Sequence, residues 1–274
     1  MKDITPCIWH SANLSEMVDY YTTIFPNVEV RSQSEMLVEL TMGGKLFRFL
    51  AGNTSELPNP SISFYHLCTT KDEAYDLWER LSLDGQEMVP LDSYPWSPLY
   101  GWISDKFGIS WQIAVHEWEE IGQKITPALL FVNQYAGKAR PAIELYSRLF
   151  DKFDLDGIMY FDETEKMIQH SQFALNGQKF MFMDSPEPHE FTFNNGISFM
   201  VECEDQAEID HYWNAITRYG KEGMCGWCTD EFGVAWQIYP RKLSELMSNP
   251  ETARRTAENF RNMKKIVVDE LGDG

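Results

Sequence analysis

The residues best suited to acid–base, metal or thiol chemistry in this chain are six histidines, a Cys-x-x-Cys pair and an aspartate that recurs in a repeated motif. His10, His66, His116, His170, His189 and His211 are scattered, with none of the His-x-Glu, His-x-x-x-His or His-x-x-Cys spacings that present a metal site from one element. His10 and His66 are the strongest of them, each near the end of a predicted strand, although a lone histidine in such a place is more often a hydrogen-bonded core residue. Cys225-Gly226-Trp227-Cys228 has redox spacing, but it opens a predicted strand rather than a helix, whose N-terminus would lower a thiol pKa. It reads as an incidental pair of strand cysteines, and zinc would need a second pair. Asp105-x-Phe107-Gly108 and Asp230-x-Phe232-Gly233 read as tight β-turns, because no glycine-rich run precedes a helix as a phosphate loop requires.

The elements that must position these residues follow from periodicity. Strand patterns cover Ile4 to Trp9, Val28 to Gln33, Met36 to Met42 and Lys45 to Leu50, with a helix over Ser15 to Phe25. Gly43-Gly44 supplies a hairpin turn, since glycine tolerates positive φ. Asn13 is placed to cap the helix, with Glu16 three residues on completing a capping box. The order then recurs: strand Ser61 to Cys68, helix Asp72 to Ser82, and strands near Glu87 to Val89, Gly101 to Ser104 and Trp111 to Val115. Each half is a βαβββ module.

The whole arrangement is duplicated. Thr5-Pro6 recurs as Thr126-Pro127, Val18-Asp19-Tyr20-Tyr21 as Ile143-Glu144-Leu145-Tyr146, and Ser61-Ile62-Ser63-Phe64 as Gly196-Ile197-Ser198-Phe199. The strongest echo is Gly101-Trp102-Ile103-Ser104-Asp105-Lys106-Phe107-Gly108-Ile109-Ser110-Trp111-Gln112-Ile113 with Gly226-Trp227-Cys228-Thr229-Asp230-Glu231-Phe232-Gly233-Val234-Ala235-Trp236-Gln237-Ile238. The expected domains are 1–120 and 121–245, followed by 246–274, whose segment Pro250 to Leu271 reads as one amphipathic helix, solvated or docked. The proline-rich stretch Pro90 to Pro98 belongs to the first repeat alone and is expected to act as a lid or interface.

With 274 residues, 43% of them hydrophobic, the chain has material for two cores, and a net charge of −19 repels polyanions. Nucleic acid and anionic membrane are therefore not expected partners. Five cysteines, an early polar N-terminus and no long apolar run point to a reduced, cytoplasmic protein.

A doubled βαβββ unit ending in Asp-Lys-Phe-Gly-Ile-Ser-Trp-Gln-Ile resembles the vicinal oxygen chelate superfamily of glyoxalase I, bleomycin-resistance proteins and extradiol dioxygenases. It is most similar to the PhnB-like branch, whose members carry the label 3-demethylubiquinone-9 3-methyltransferase domain. That narrower match rests on Thr5-Pro6-Cys7-Ile8-Trp9, Phe25-Pro26-Asn27, Pro90-Leu91-Asp92-Ser93-Tyr94-Pro95-Trp96 with Tyr100-Gly101-Trp102, the Asp105 to Gln112 stretch, Asn249-Pro250-Glu251 and Met263-Lys264-Lys265-Ile266. The resemblance implies an α+β protein of two tandem glyoxalase-like domains, each built from two modules with its own curved mixed sheet. It also implies that the two copies mimic a homodimer within one chain, which would be monomeric or weakly dimeric.

Enzymes of that superfamily place divalent-metal ligands on the first, fourth, fifth and eighth strands of a unit. The matching positions here are Thr5, Arg48 or a neighbour, Ser63 and Gln112 in the first repeat, and Thr126, Met181 or a neighbour, Ser198 and Gln237 in the second. Hydroxyls and an amide are poor ligands for a first-row metal, so no cofactor is expected. The label's methyl transfer finds no support in the residues, since no glycine-rich cofactor loop follows a first strand. The candidate cup-lining residues are Trp9, His10, Arg48, Ser63, His66, Trp102, Gln112, Ser198, Trp227 and Gln237. Three readings stand: a metal-independent binder of a small aromatic or hydrophobic molecule, an enzyme using a nonstandard metal or an acid–base pair drawn from His10, His66, Asp105 and Gln112, and a structural or interaction module.

Overall fold

A computed structural model describes residues 4–164 and 166–272. The chain forms two compact units, one over Pro6–Ile197 and the other from Ser198 onward together with the start of the first strand.

The larger unit begins with β1 (Ile4–His10), α1 (Leu14–Ile24), β2 (Glu29–Gln33), β3 (Leu37–Met42) and β4 (Lys45–Ala51). β1 and β4 run parallel, with Cys7 opposite Arg48, and β3 lies between β4 and β2. Gly43 and Gly44 turn β3 into β4 with φ of 56° and 77°, the two positive angles that a type I′ turn demands. Asn13 caps α1 by accepting from the Ser15 amide at 2.8 Å. The expected capping-box partner is engaged elsewhere: Glu16 accepts from Lys106 Nζ at 2.8 Å.

The second module is β5 (Ile62–Cys68), α2 (Lys71–Ser82), β6 (Gln86–Tyr94), β7 (Ser97–Ser104) and β8 (Ser110–Val115), followed by the short α3 (Trp118–Ile121). The third is β9 (Ile125–Phe131), α4 (Ala139–Leu149), β10 (Phe153–Tyr160), β11 (Ile168–Leu175) and β12 (Gln178–Asp184). These two modules share one eight-stranded mixed sheet in the order β10-β11-β12-β9-β5-β8-β7-β6. Its seam is the antiparallel pair β5/β9, with Ser63 opposite Ala128, flanked on each side by a parallel pair. The expectation that each repeat forms its own sheet is corrected here. The second module of one repeat joins the first module of the next, because β5 and β9 are buried along their full lengths and each supplies an edge to the other.

One face of this sheet packs under α2 and α4, and the other is left as a concave cup. Alternation assigns the faces: Phe64, His66 and Trp111 point to the helix side, whereas Tyr65 and Gln112, directly paired in register, point into the cup. The helix-side core of the first repeat is aromatic, with Tyr21, Phe25, Phe49, Phe64 and Trp111 all buried. Buried at its centre is Asp105, whose carboxylate accepts from Tyr21 Oη (2.7 Å), Trp111 Nε1 (3.0 Å) and the amides of Phe107 (2.9 Å) and Ile109 (3.0 Å).

The Pro90 to Pro98 segment is not a loop. It lengthens β6 and β7 into a hairpin whose two-residue turn, Pro95-Trp96, lies between the paired Tyr94 and Ser97.

The smaller unit contains β13 (Ile197–Cys203), α5 (Gln206–Thr217), β14 (Lys221–Glu222), β15 (Trp227–Thr229) and β16 (Ala235–Pro240), with strand order β14-β15-β16-β13. Asp230 repeats the Asp105 arrangement, accepting from Trp236 Nε1 (3.0 Å) and the amides of Phe232 and Val234. Beyond lie α6 (Lys242–Ser248), α7 (Ala253–Asn262) and α8 (Val268–Gly272), so the single helix expected over Pro250 to Leu271 is broken. The chain leaves α7 at Met263 because the Met263 and Lys264 carbonyls accept from the Cys225 and Gly226 amides. Ile266 is then fully buried, and Gln206 bonds both the Ile266 carbonyl and the Val268 amide. Lys265 pairs with Asp210 at 2.7 Å, which docks this basic stretch on the acidic repeat. No helix among the described residues is long and apolar enough to cross a membrane.

Candidate functional site

The cup of the eight-stranded sheet encloses a cavity of about 680 Å³. Its floor is built across the seam, from Tyr65 on β5, Gln112 on β8, and Met181 and Met183 on β12. Tyr65, Ala128 and Met181 pack with Leu67, Ala114 and Ile121 into one cluster, so the floor around Gln112 is apolar. The β6–β7 hairpin supplies one wall with Trp96 and Tyr100, and β10 supplies another with Ile158 and Met159. Tyr94 stacks on Trp96 with ring centroids 5.0 Å apart, and Tyr100 meets both rings edge-on.

Polar groups enter this apolar bowl at defined points. Tyr100 Oη donates to Gln112 Oε1 (2.9 Å), Gln112 Nε2 donates to Ser63 Oγ (2.8 Å), and Ser63 Oγ donates to the Ala128 carbonyl (3.4 Å). This chain ties four strands together beneath the floor. Burial pushes the Tyr65 and Tyr100 phenols well above the usual tyrosine range, so both stay neutral. At the rim, Asp156 on β10 accepts from Lys179 Nζ (2.6 Å) and Gln172 Nε2 (2.9 Å).

Two histidines line the cavity. His116, just past β8, has Nδ1 2.9 Å from Glu120 Oε2 on α3 and its ring 6.3 Å from that of Tyr65. His170 comes from β11, and burial, assisted by the nearby His116, holds its pKa below the usual imidazole value.

The residues expected to line a cup are distributed differently. Gln112 borders the cavity, Ser63 lies beneath it as the next partner, and Trp102 shares the cup face but donates to Ser110 Oγ at 3.0 Å outside the cavity lining. His66 faces the opposite side: its ring stacks on Phe25 at 5.5 Å and its Nδ1 lies 3.6 Å from Cys68 Sγ. Burial pushes its pKa down to about 3. His10 is a structural clamp, accepting from the Ala12 amide at Nδ1 (2.8 Å) and donating from Nε2 to the Phe107 carbonyl (3.1 Å). Asp105 is likewise structural, and its burial raises its carboxyl to about 6 against the pull of four donors. Of the four groups considered for acid–base chemistry, only Gln112 reaches this cavity.

Trp9 and Arg48 lie on β1 and β4, away from this sheet. An added Cβ at Gly52 would lie 2.1 Å from Trp9 Nε1, and Arg48 Nε pairs with Glu39 at 2.7 Å. In the smaller unit Gln237 Nε2 donates to Ser198 Oγ at 2.8 Å, and Trp227 lies opposite Gln237 in register, as Trp102 lies opposite Gln112. Burial raises the thiols of Cys225 and Cys228, the reverse of what a redox Cys-x-x-Cys needs.

The expected metal positions of this sheet are Ser63, Gln112, Thr126 and Met181. Their donors are two hydroxyls, an amide and a thioether, and Thr126 Oγ1 already accepts from Gln123 Nε2 at 3.3 Å. This set does not fit a first-row divalent ion, which wants imidazole, carboxylate or thiolate. Among the described residues, no group of three or more His, Cys, Asp or Glu side chains is placed to hold a metal.

Comparison with known proteins agrees with the duplicated fold. The family described as 3-demethylubiquinone-9 3-methyltransferase matches residues 2–114 and again residues 123–239. A PhnB protein from Bacillus cereus is 27% identical over 42% of this chain and 99% of its own, with a TM-score of 0.39. Glyoxalase I from Zea mays is 11% identical over 90% of this chain and 96% of its own, with a TM-score of 0.59, a likeness of fold. No curated protein matches. With both repeats matched, the chain belongs to the 3-demethylubiquinone-9 3-methyltransferase (PhnB-like) family and carries its domain twice.

Proposed function

We propose that the protein binds a small, flat aromatic or hydrophobic molecule in the cup, without the divalent metal of its fold relatives. The observation that carries this reading is the lining: a cavity of about 680 Å³ faced by Tyr65, Trp96, Tyr100, Met159, Met181 and Met183, with Gln112 as the polar group of its floor. That volume suits a molecule of drug-like size, and aromatic and thioether surfaces adapt to planar guests. The seam that completes the floor joins the two repeats inside one chain, so a second copy is not needed to close the site.

Thermal unfolding with a panel of planar aromatic compounds tests the reading. A ligand at about a hundred times its Kd stabilises the fold by about 2.7 kcal/mol, a clear rise in Tm. A panel of mono- and bicyclic aromatics that leaves both Tm and tryptophan fluorescence unchanged would sink it. A second reading, an enzyme, is favoured by the His116–Glu120 pair at the cavity edge, which is the arrangement a general base requires.

A further inference from the structure

We propose that the cavity selects aromatic ligands carrying an ionisable hydroxyl, whose proton passes to His116 while Glu120 holds the imidazolium that results. The inference rests on the aromatic-binding reading above and adds a chemical class and a residue pair to it.

The pair is oriented for this task. Glu120 Oε2 lies 2.9 Å from His116 Nδ1, and an ionised carboxylate only accepts, so Nδ1 carries the proton of the neutral ring. Nε2 is then left with its lone pair, the basic atom of the imidazole. A carboxylate behind Nδ1 fixes the tautomer and stabilises the charge that appears once Nε2 is protonated. His116 is sheltered, with its side chain 18% exposed, whereas Glu120 is 58% exposed and stays hydrated.

The other ionisable groups of the cavity leave that role to His116. The Tyr65 and Tyr100 phenols are held neutral by burial, and Tyr100 Oη is already donating to Gln112. Asp156 is occupied by Lys179 and Gln172. The His170 imidazole makes no hydrogen bond among the described residues, and burial favours its neutral form, which leaves the ring to bond a second ligand substituent.

In the step itself the ligand O–H bond breaks, its electron pair stays on oxygen, and an N–H bond forms at Nε2. A phenolate and an imidazolium result, with no change in total charge and no co-reactant.

The test uses absorbance titration of the full chain with para-nitrophenol and its methyl ether, para-nitroanisole, which has no proton to give. Bound para-nitrophenol is expected to show the phenolate spectrum, its apparent pKa lowered by about one unit or more, a tenfold shift in the ionised fraction. His116→Gln should abolish that shift, while its circular dichroism and cooperative urea unfolding show that the variant is folded. Glu120→Gln, a change at a mostly exposed position, should reduce the shift. Para-nitrophenol that stays neutral when bound, or that ionises equally well in His116→Gln, overturns this inference and leaves aromatic binding standing. Failure of both probes to bind overturns the aromatic reading along with it.

Discussion

Gln112 Nε2 donates to Ser63 Oγ at 2.8 Å, and Gln237 repeats the bond to Ser198 Oγ at the same distance. These are positions where the family resemblance placed metal ligands. Here they cross-link neighbouring parallel strands. In the larger unit the bond is one link of the Tyr100–Gln112–Ser63–Ala128 chain, so Gln112 has both ends of its amide engaged in the cavity floor.

Protein exposed to zinc, nickel or manganese and then desalted should therefore retain only sub-stoichiometric metal by mass spectrometry, and a tightly held equivalent would contradict the assignment. Gln112→Ala should instead cost stability, about 1–3 kcal/mol, because the Tyr100 hydroxyl loses its acceptor and the buried Ser63 hydroxyl one of its two partners. Urea unfolding reads that loss directly.

His66 gives the fold a pH dependence with a definite sign. Burial depresses its folded pKa to about 3, whereas an unfolded chain restores the ordinary value of about 6.5. Between those limits the unfolded state binds one more proton, so stability rises with pH and is lost as pH falls from about 6.5 toward 3. The slope attributable to this residue is about 1.4 kcal/mol per pH unit. Comparing His66→Gln with the parent chain at pH 6.5 and pH 4.5 cancels the other groups. The variant should lose less stability across that interval; equal slopes would show that His66 is not held neutral.

Asp105 should be more sensitive to a near-isosteric change than its turn position suggests. Its two oxygens serve two amides, the Trp111 indole and the Tyr21 hydroxyl. Asp105→Asn keeps one acceptor and turns the other into a donor facing donors, at a cost of about 2–4 kcal/mol. Tyr21→Phe removes a single donor and should cost about 1 kcal/mol. Similar unfolding midpoints for the two variants would count against a shared carboxylate knot.

Much of this organisation was readable from residue order, and the reasons it stops are physical. Strand and helix periodicities, the Gly43-Gly44 turn and the Asp105/Asp230 echo are local signals, and in the first repeat they place every element within a residue except β6 and β7, which the Pro90 to Pro98 segment lengthens into a hairpin. Which modules share a sheet depends on the β5/β9 edge pairing, and strand propensity says nothing about which edge a strand will find. The same long-range pairing brings His116 and His170 to one cavity, although nothing in their spacing links them. One signal was available: His116 and Glu120 are four residues apart at the mouth of a short helix, a spacing that puts two side chains in reach. The single helix expected at the C-terminus was drawn from apolar spacing alone, which cannot register the backbone bonds to Cys225 and Gly226 that end α7.

Trp96 separates ligand binding from folding. It sits at the tip of the β6–β7 hairpin, 59% exposed, and contacts Tyr94 and Tyr100 while bordering the cavity. An exposed hairpin tip contributes little to global stability, so Trp96→Ala should move unfolding by no more than about 0.5 kcal/mol. A guest that lies against the indole loses a large stacking surface, worth about 1–1.5 kcal/mol, or roughly tenfold in Kd. Fluorescence titration of an aromatic ligand against the variant and the parent measures the second effect, and urea unfolding measures the first. An unchanged Kd would place the bound ring deeper, on the Tyr65 and Met181 floor, and would reduce the proline-rich hairpin to an element of the fold without a part in recognition.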